Sequence, residues 1–109
     1  MVLVRRIVFN KNGIDFCIAV GKEKKVNYLG VEREISEEIL VKYLSDLFLI
    51  ISDWDKEYIT FDSKSCDYWK LVIQFVDGEE KIFLGKAKYP SNFEMFLHLN
   101  RRMLEEVKE

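Results

Sequence analysis

One histidine and two cysteines are all that the 109-residue chain holds of the side chains that most often ligate transition metals. His98, Cys17 and Cys66 are scattered and show no C-x-x-C spacing, so the usual ligand set of a zinc site cannot be assembled from them. Nothing in the cysteine spacing favours a disulfide either. Neither charge sign dominates: 17 Lys and Arg against 19 Asp and Glu leave a formal charge of −2. There is thus no general attraction to phosphate backbones or anionic lipid, and nucleic-acid binding would need a local basic patch. No apolar run reaches the ~20 residues of a membrane-spanning helix, even around Leu47–Ile51. The segment Met1–Arg6 lacks the order of a signal peptide, and a cytoplasmic protein is the expectation. Walker A, G-x-S-x-G, dinucleotide-binding and H-E-x-x-H motifs are all absent, and no catalytic set, cofactor or metal site is assigned.

What is present is the composition of a single soluble domain spanning 1–109: 49% apolar, 33% charged and 14% aromatic residues, with no linker or low-complexity tract. The strongest organising feature is an internal similarity. Without a gap, Ile14–Ile51 can be laid over Trp69–Glu106, dividing the chain into halves of about 1–52 and 53–109. Phe16 falls on Leu71, Ile18 on Ile73, Tyr28-Leu29-Gly30 on Phe83-Leu84-Gly85, and Ser36 on Ser91. Leu40, Leu44 and Leu49 then meet Met95, Leu99 and Leu104 at helical spacing. A repeated supersecondary unit is what such self-similarity implies.

Local patterns fill in that unit. Val2–Asn10 is rich in β-branched residues and runs into Asn12-Gly13, a pair that supplies the positive φ angles of a tight hairpin. Ile14–Val20 alternates apolar and small or polar residues as a strand with one buried face, and Val26–Gly30 reads as a third strand. Ser36 is placed to cap a helix reaching about Ile51, with Ile35 and Leu40 as a hydrophobic staple. In the second half, Tyr58–Phe61, Tyr68–Val76 and Lys81–Ala87 read as strands, the last two joined by a turn at Asp77-Gly78. Pro90 stops the strand, Ser91 and Glu94 have capping-box spacing, and Phe93, Phe96, Leu97, Asn100, Met103, Leu104 and Val107 trace one helical face. The expectation is an α+β fold, a predominantly antiparallel sheet with two helices, pseudo-repeated as βββα–βββα.

The residues that could carry chemistry each have a plainer reading. His98 has no sequence neighbour that would orient it for proton transfer and reads as a surface or boundary histidine. Asp53, Asp55, Glu57, Asp62 and Asp67 make the middle acidic without the spacing of a calcium loop, and Asp53, Asp55 and Asp62 are the carboxylates on which a small hydrolytic enzyme would depend. Lys22, Lys24, Lys25, Lys86 and Lys88 fall on equivalent hairpins and, with nearby aromatics, could bind single-stranded nucleic acid; lysines on edge strands also serve to block aggregation.

The string from Trp69 to Gly78, followed by Phe83-Leu84-Gly85, Tyr89-Pro90-Ser91-Asn92-Phe93 and an apolar helix, resembles a group of small bacterial proteins without an assigned activity. Their shared pattern is a Trp-led strand, an Asp-Gly hairpin, a Tyr-Pro-x-Asn-Phe turn and a terminal helix. Ala87-Lys88 stands where that pattern often has Asn-Ala, and Asp67-Tyr68 where Gly often precedes Trp. The resemblance covers the C-terminal third and implies a fold, with no activity attached. The leading expectation for function is therefore a non-enzymatic module acting through protein contact, as a homodimer or with another protein. Leu47, Phe48, Ile50 and Ile51 are the candidate interface, because this helix end is apolar nearly all round.

Overall fold

A computed structural model of the chain describes residues 3–60 and 67–107. Strands β1 (Val4–Lys11), β2 (Ile14–Val20), β3 (Lys24–Tyr28) and β4 (Val31–Glu34) lead into helix α1 (Glu37–Ile51). Strands β5 (Glu57–Ile59), β6 (Tyr68–Phe75) and β7 (Glu80–Lys86) then precede helix α2 (Phe93–Glu106). The strands form one sheet in the order β4-β3-β2-β1-β6-β7-β5. Every neighbouring pair is antiparallel except β5 and β7, which run parallel. The fold is thus α+β with a predominantly antiparallel sheet.

The alternation seen in the sequence sets which side of the sheet is covered. Ile7 lies opposite Ile18 and Ile73, and Phe9 opposite Phe16 and Leu71, so these rows point to one face and are buried there. An irregularity in the β1–β6 register between Val4 and Arg6 keeps Val4 in the core while Arg5 and Arg6 are both exposed. The helices cover this same face: Leu40, Tyr43, Leu44, Leu47 and Ile51 of α1 and Phe93, Phe96, Leu99 and Met103 of α2 join the strand residues in one hydrophobic cluster. On the other face the row Asn27, Cys17, Val8, Val72, Ile82 is half-buried or exposed, and neither helix packs over it.

The sequence-based elements differ from the observed ones at three places. β4 is an additional strand, made possible by a turn in which Leu29 (φ 52°) and Gly30 (φ 78°) both adopt left-handed backbone. The same conformation occurs at Asn12 (φ 52°) and Gly13 (φ 86°), but leucine is a poor signal for it. The order is therefore ββββα–βββα, and the first strands of the two halves are not equivalent: β1 is the central strand, whereas β5 lies at the sheet edge beside β7. β5 also ends at Ile59, and Phe61 of the expected strand lies outside the described residues.

The third difference concerns the helix caps. Ser36 caps α1, its Oγ accepting from the Ile39 N–H at 3.2 Å, and Ile35 and Leu40 are both buried as a staple requires. Ser91 does not cap α2. The N-cap is Asn92, whose side chain makes no cap bond because both of its ends are used elsewhere: Oδ1 accepts from Trp54 Nε1 at 2.5 Å and Nδ2 donates to the Ile50 carbonyl at 2.8 Å. Asn92 thereby ties the start of α2 to the end of α1.

Candidate functional site

Helix α2 crosses the covered sheet face from a closed end to an open one. At its N-terminal end Phe93 and Phe96 meet Trp54, Trp69, Phe83 and Tyr89 in an aromatic cluster, with ring centroids 4.9–6.0 Å apart. Trp69 Nε1 donates to the Lys88 carbonyl at 3.0 Å, so the buried indole leaves no donor unpaired. A Cβ at Gly85 would overlap that indole, which explains a glycine inside β7. No ligand could enter here.

One to two turns further on, α2 and the β1–β2 hairpin separate to leave a cleft of about 330 Å³. Phe9, Ile14, Phe16 and Tyr28 supply its sheet-side apolar wall, and Leu97 and Leu104 the helix side. Phe9 is held edge-on to Phe96 at 4.7 Å, and Phe16 is flanked by Tyr28 at 6.3 Å and Tyr43 at 6.4 Å. Three polar residues matter. Asn100, buried among the described residues, accepts a 2.6 Å hydrogen bond from the buried Tyr43 hydroxyl through Oδ1. Burial pushes the Tyr43 phenol far above its ordinary value, which keeps that donor protonated. No buried side-chain nitrogen or oxygen among the described residues is left without a partner, so the Asn100 NH₂, which makes no such bond, is open to the cleft. Lys11, Arg101 and Asn12 complete the lining, the Asn12 side chain being spent on Asp67 (3.2 Å) and the Tyr68 N–H (2.9 Å); among the described residues neither Lys11 nor Arg101 forms a salt bridge and no carboxylate lines the cleft.

A different face of α2 forms a shallow groove with α1. Leu49, Ile50, Met95 and Leu99 line it, with Asp46, Glu94, His98 and Arg102 beside them. Leu49 and Met95 are 73% and 61% exposed, the former the most exposed large apolar side chain among the described residues. The expected interface segment is therefore divided. Leu47 and Ile51 are buried in the chain's own core, and Phe48 is half-buried against Phe75. Only Ile50 and the unanticipated Leu49 reach the groove. His98 is exposed on its rim.

The other sequence candidates are dispersed. By register, Lys25 shares a row with Ala19, Arg6, Gln74 and Glu80, whereas Lys86 lies opposite Tyr68 at the other end of the sheet. The two lysine groups are four strand spacings apart, about 19 Å at ~4.8 Å each, and at opposite strand ends. Lys25 is in addition held between Glu32 (2.9 Å) and Glu23 (3.1 Å), which raise its ammonium above the ordinary value and cancel its charge locally. Lys86 and Lys88 therefore do not share one basic surface with the hairpin that carries Lys22, Lys24 and Lys25. Asp53 and Asp55 are exposed and line neither the cleft nor the groove, while Asp62 and Cys66 lie outside the described residues. Cys17 is a free thiol on the uncovered sheet face. Among the described residues no three His, Cys, Asp or Glu side chains gather to hold a metal ion, and no helix is long and apolar enough to cross a membrane.

Sequence reasoning missed the cleft, although one signal was visible: Asn100 is the only polar member of the apolar stripe of α2. Lys11 gave no signal, since its position over the helix-covered face depends on the strand register. No family model, curated protein or solved structure matches the chain.

Proposed function

We propose that the chain is a cytoplasmic, non-enzymatic interaction module that pairs with a second copy of itself through the α1–α2 groove. The exposure of Leu49 and Met95 across that groove carries the reading, because paired apolar side chains of this size gain most by being covered. The charges beside them select a second copy as the occupant. Glu94, His98 and Arg102 form one helical row at i, i+4 and i+8, and Arg102 stays exposed at the groove although it is bridged within the chain to Asp46 at 3.2 Å and Glu106 at 3.9 Å. A two-fold axis near His98 sets two such rows antiparallel and brings each Glu94 against Arg102 of the partner subunit, the self-complementarity that an isologous dimer needs.

Sedimentation equilibrium tests the reading. A concentration-dependent dimer is expected, abolished by Leu49→Glu or Met95→Glu. Glu94→Arg weakens it through like-charge contact with Arg102 of the partner subunit. A wild-type chain that stays monomeric at the highest soluble concentration refutes self-association, and a dimer indifferent to all of these changes places the interface elsewhere.

A further inference from the structure

We infer that the cleft between α2 and the β1–β2 hairpin is a binding site for a small amphipathic carboxylate, a molecule with an apolar body and one anionic head. The proposal is independent of self-association, because the cleft uses Leu97, Asn100, Arg101 and Leu104 of α2 whereas the groove uses Glu94, Met95, His98, Leu99 and Arg102.

Three features together define the ligand. The first is size: about 330 Å³ lies at the lower end of the ~300–1,000 Å³ typical of small-molecule sites, too much for ordered water alone and too little for a large cofactor. The second is the wall. Phe9, Phe16, Tyr28, Ile14, Leu97 and Leu104 present aromatic and aliphatic carbon to the space, and Ile14 is 49% exposed among the described residues. An apolar ligand body there removes both surfaces from water. The third is the sign of the polar groups. Lys11 and Arg101 are cations and the free Asn100 NH₂ is a donor, and among the described residues no carboxylate lines the cleft; Asp67 lies behind Asn12, a further lining residue, whose Nδ2 donates to Asp67 Oδ1 at 3.2 Å. A carboxylate supplies the acceptors that all three lack, and Arg101 offers the planar fork that grips it at two points. The Tyr43 hydroxyl occupies Asn100 Oδ1 and so orients the amide with its donor side toward the cleft.

Decanoate, with decanol as its uncharged counterpart, is the probe, read by amide chemical-shift titration of the full chain below the micelle concentration. Decanoate is expected to bind saturably, to shift Lys11–Phe16 and Leu97–Leu104, and to bind about tenfold more tightly than decanol, the factor that loss of a charge-assisted hydrogen bond allows. Lys11→Glu, at a half-buried position, and Arg101→Glu, at an exposed one, are each expected to weaken decanoate by a larger factor than decanol, with the melting temperature little changed. Leu49→Glu, which removes the proposed dimer, leaves decanoate binding as it was. Absence of saturable binding, equal affinity for decanol, or shifts confined to Leu49 and Met95 would each overturn the assignment. Tighter binding of an apolar peptide through its free C-terminal carboxylate would overturn the choice of a small molecule as occupant.

Discussion

The two ends of the helix-covered sheet face are built from the same helix and the same kinds of residue, yet one is sealed and the other is not. At the sealed end, Trp54, Trp69, Phe83, Phe93 and Phe96 fill the space between sheet and helix, and each buried indole N–H has a partner, at Asn92 or at the Lys88 carbonyl. At the open end the helix presents Leu97, Asn100 and Leu104 to the cleft, opposite Ile14 and Tyr28, and about 330 Å³ is left between them. Large aromatics at one end hold the fold, and this allows the other end to remain underfilled. Stability and a receptive surface are thus separated along a single helix, which is one way a small domain can keep a cavity without losing its core.

The contrast is broken most directly at its sealed end. Trp69→Ala is expected to cost roughly 3–5 kcal/mol, because the indole is 1% exposed and its removal leaves a void under Phe93 and Tyr58; urea denaturation would measure it. Asn92→Ala should cost about 1–3 kcal/mol by stranding Trp54 Nε1 and the Ile50 carbonyl. Ser91→Ala, at the position where the sequence places a cap, should change stability by no more than ~0.5 kcal/mol. Equal losses in these two would restore Ser91 as the functional cap.

At the open end, Tyr43→Phe removes the one bond to Asn100 Oδ1 found among the described residues and is expected to cost about 1–2 kcal/mol near neutral pH. That cost shrinks in alkali. The Tyr43 phenol is raised in the folded chain above its ordinary value of 10.0, so its contribution is complete below pH 10.0 and is lost as pH climbs toward the folded value. Wild-type stability should therefore fall more steeply above that pH than that of Tyr43→Phe, in parallel urea titrations; parallel slopes would place the phenol in water. The smallest effect is expected at the cleft mouth. Arg101→Glu should leave stability within ~0.5 kcal/mol, since Arg101 is exposed and makes no ion pair among the described residues. A large loss there would mean that the open end, too, is built for the fold.

How much of this was legible in the chain follows from the range of the interactions concerned. Asn12-Gly13 and Asp77-Gly78 announced their hairpins, and Ser36 its cap, because each acts on residues a few positions away. The Leu29-Gly30 turn escaped because its first residue adopts a backbone region that leucine rarely occupies. Asn92 escaped for a different reason: a local rule assigned capping to Ser91, while Trp54 and Ile50, distant in sequence, claimed the Asn92 side chain. The apolar end of α1 was correctly seen as unusual, but most of it is spent inside the chain, on Leu47 and Ile51. Of the groove, Ile50 was anticipated; Leu49 and Met95 became neighbours only when the helices packed.

By itself, then, the sequence determined the α+β class, the largely antiparallel pairing within hairpins, the helix spans and the faces that would be buried, since these rest on periods of two and 3.6 residues and on the chemistry of single turns. Tertiary structure decided the rest. It set β1 at the centre and β5 at the edge, and it divided the lysines between opposite ends of the sheet. It also brought Lys11, Asn100 and Arg101 around one hollow. These are relations between residues far apart along the chain. They exist only once strand register and helix docking have been chosen by the packing of the whole core.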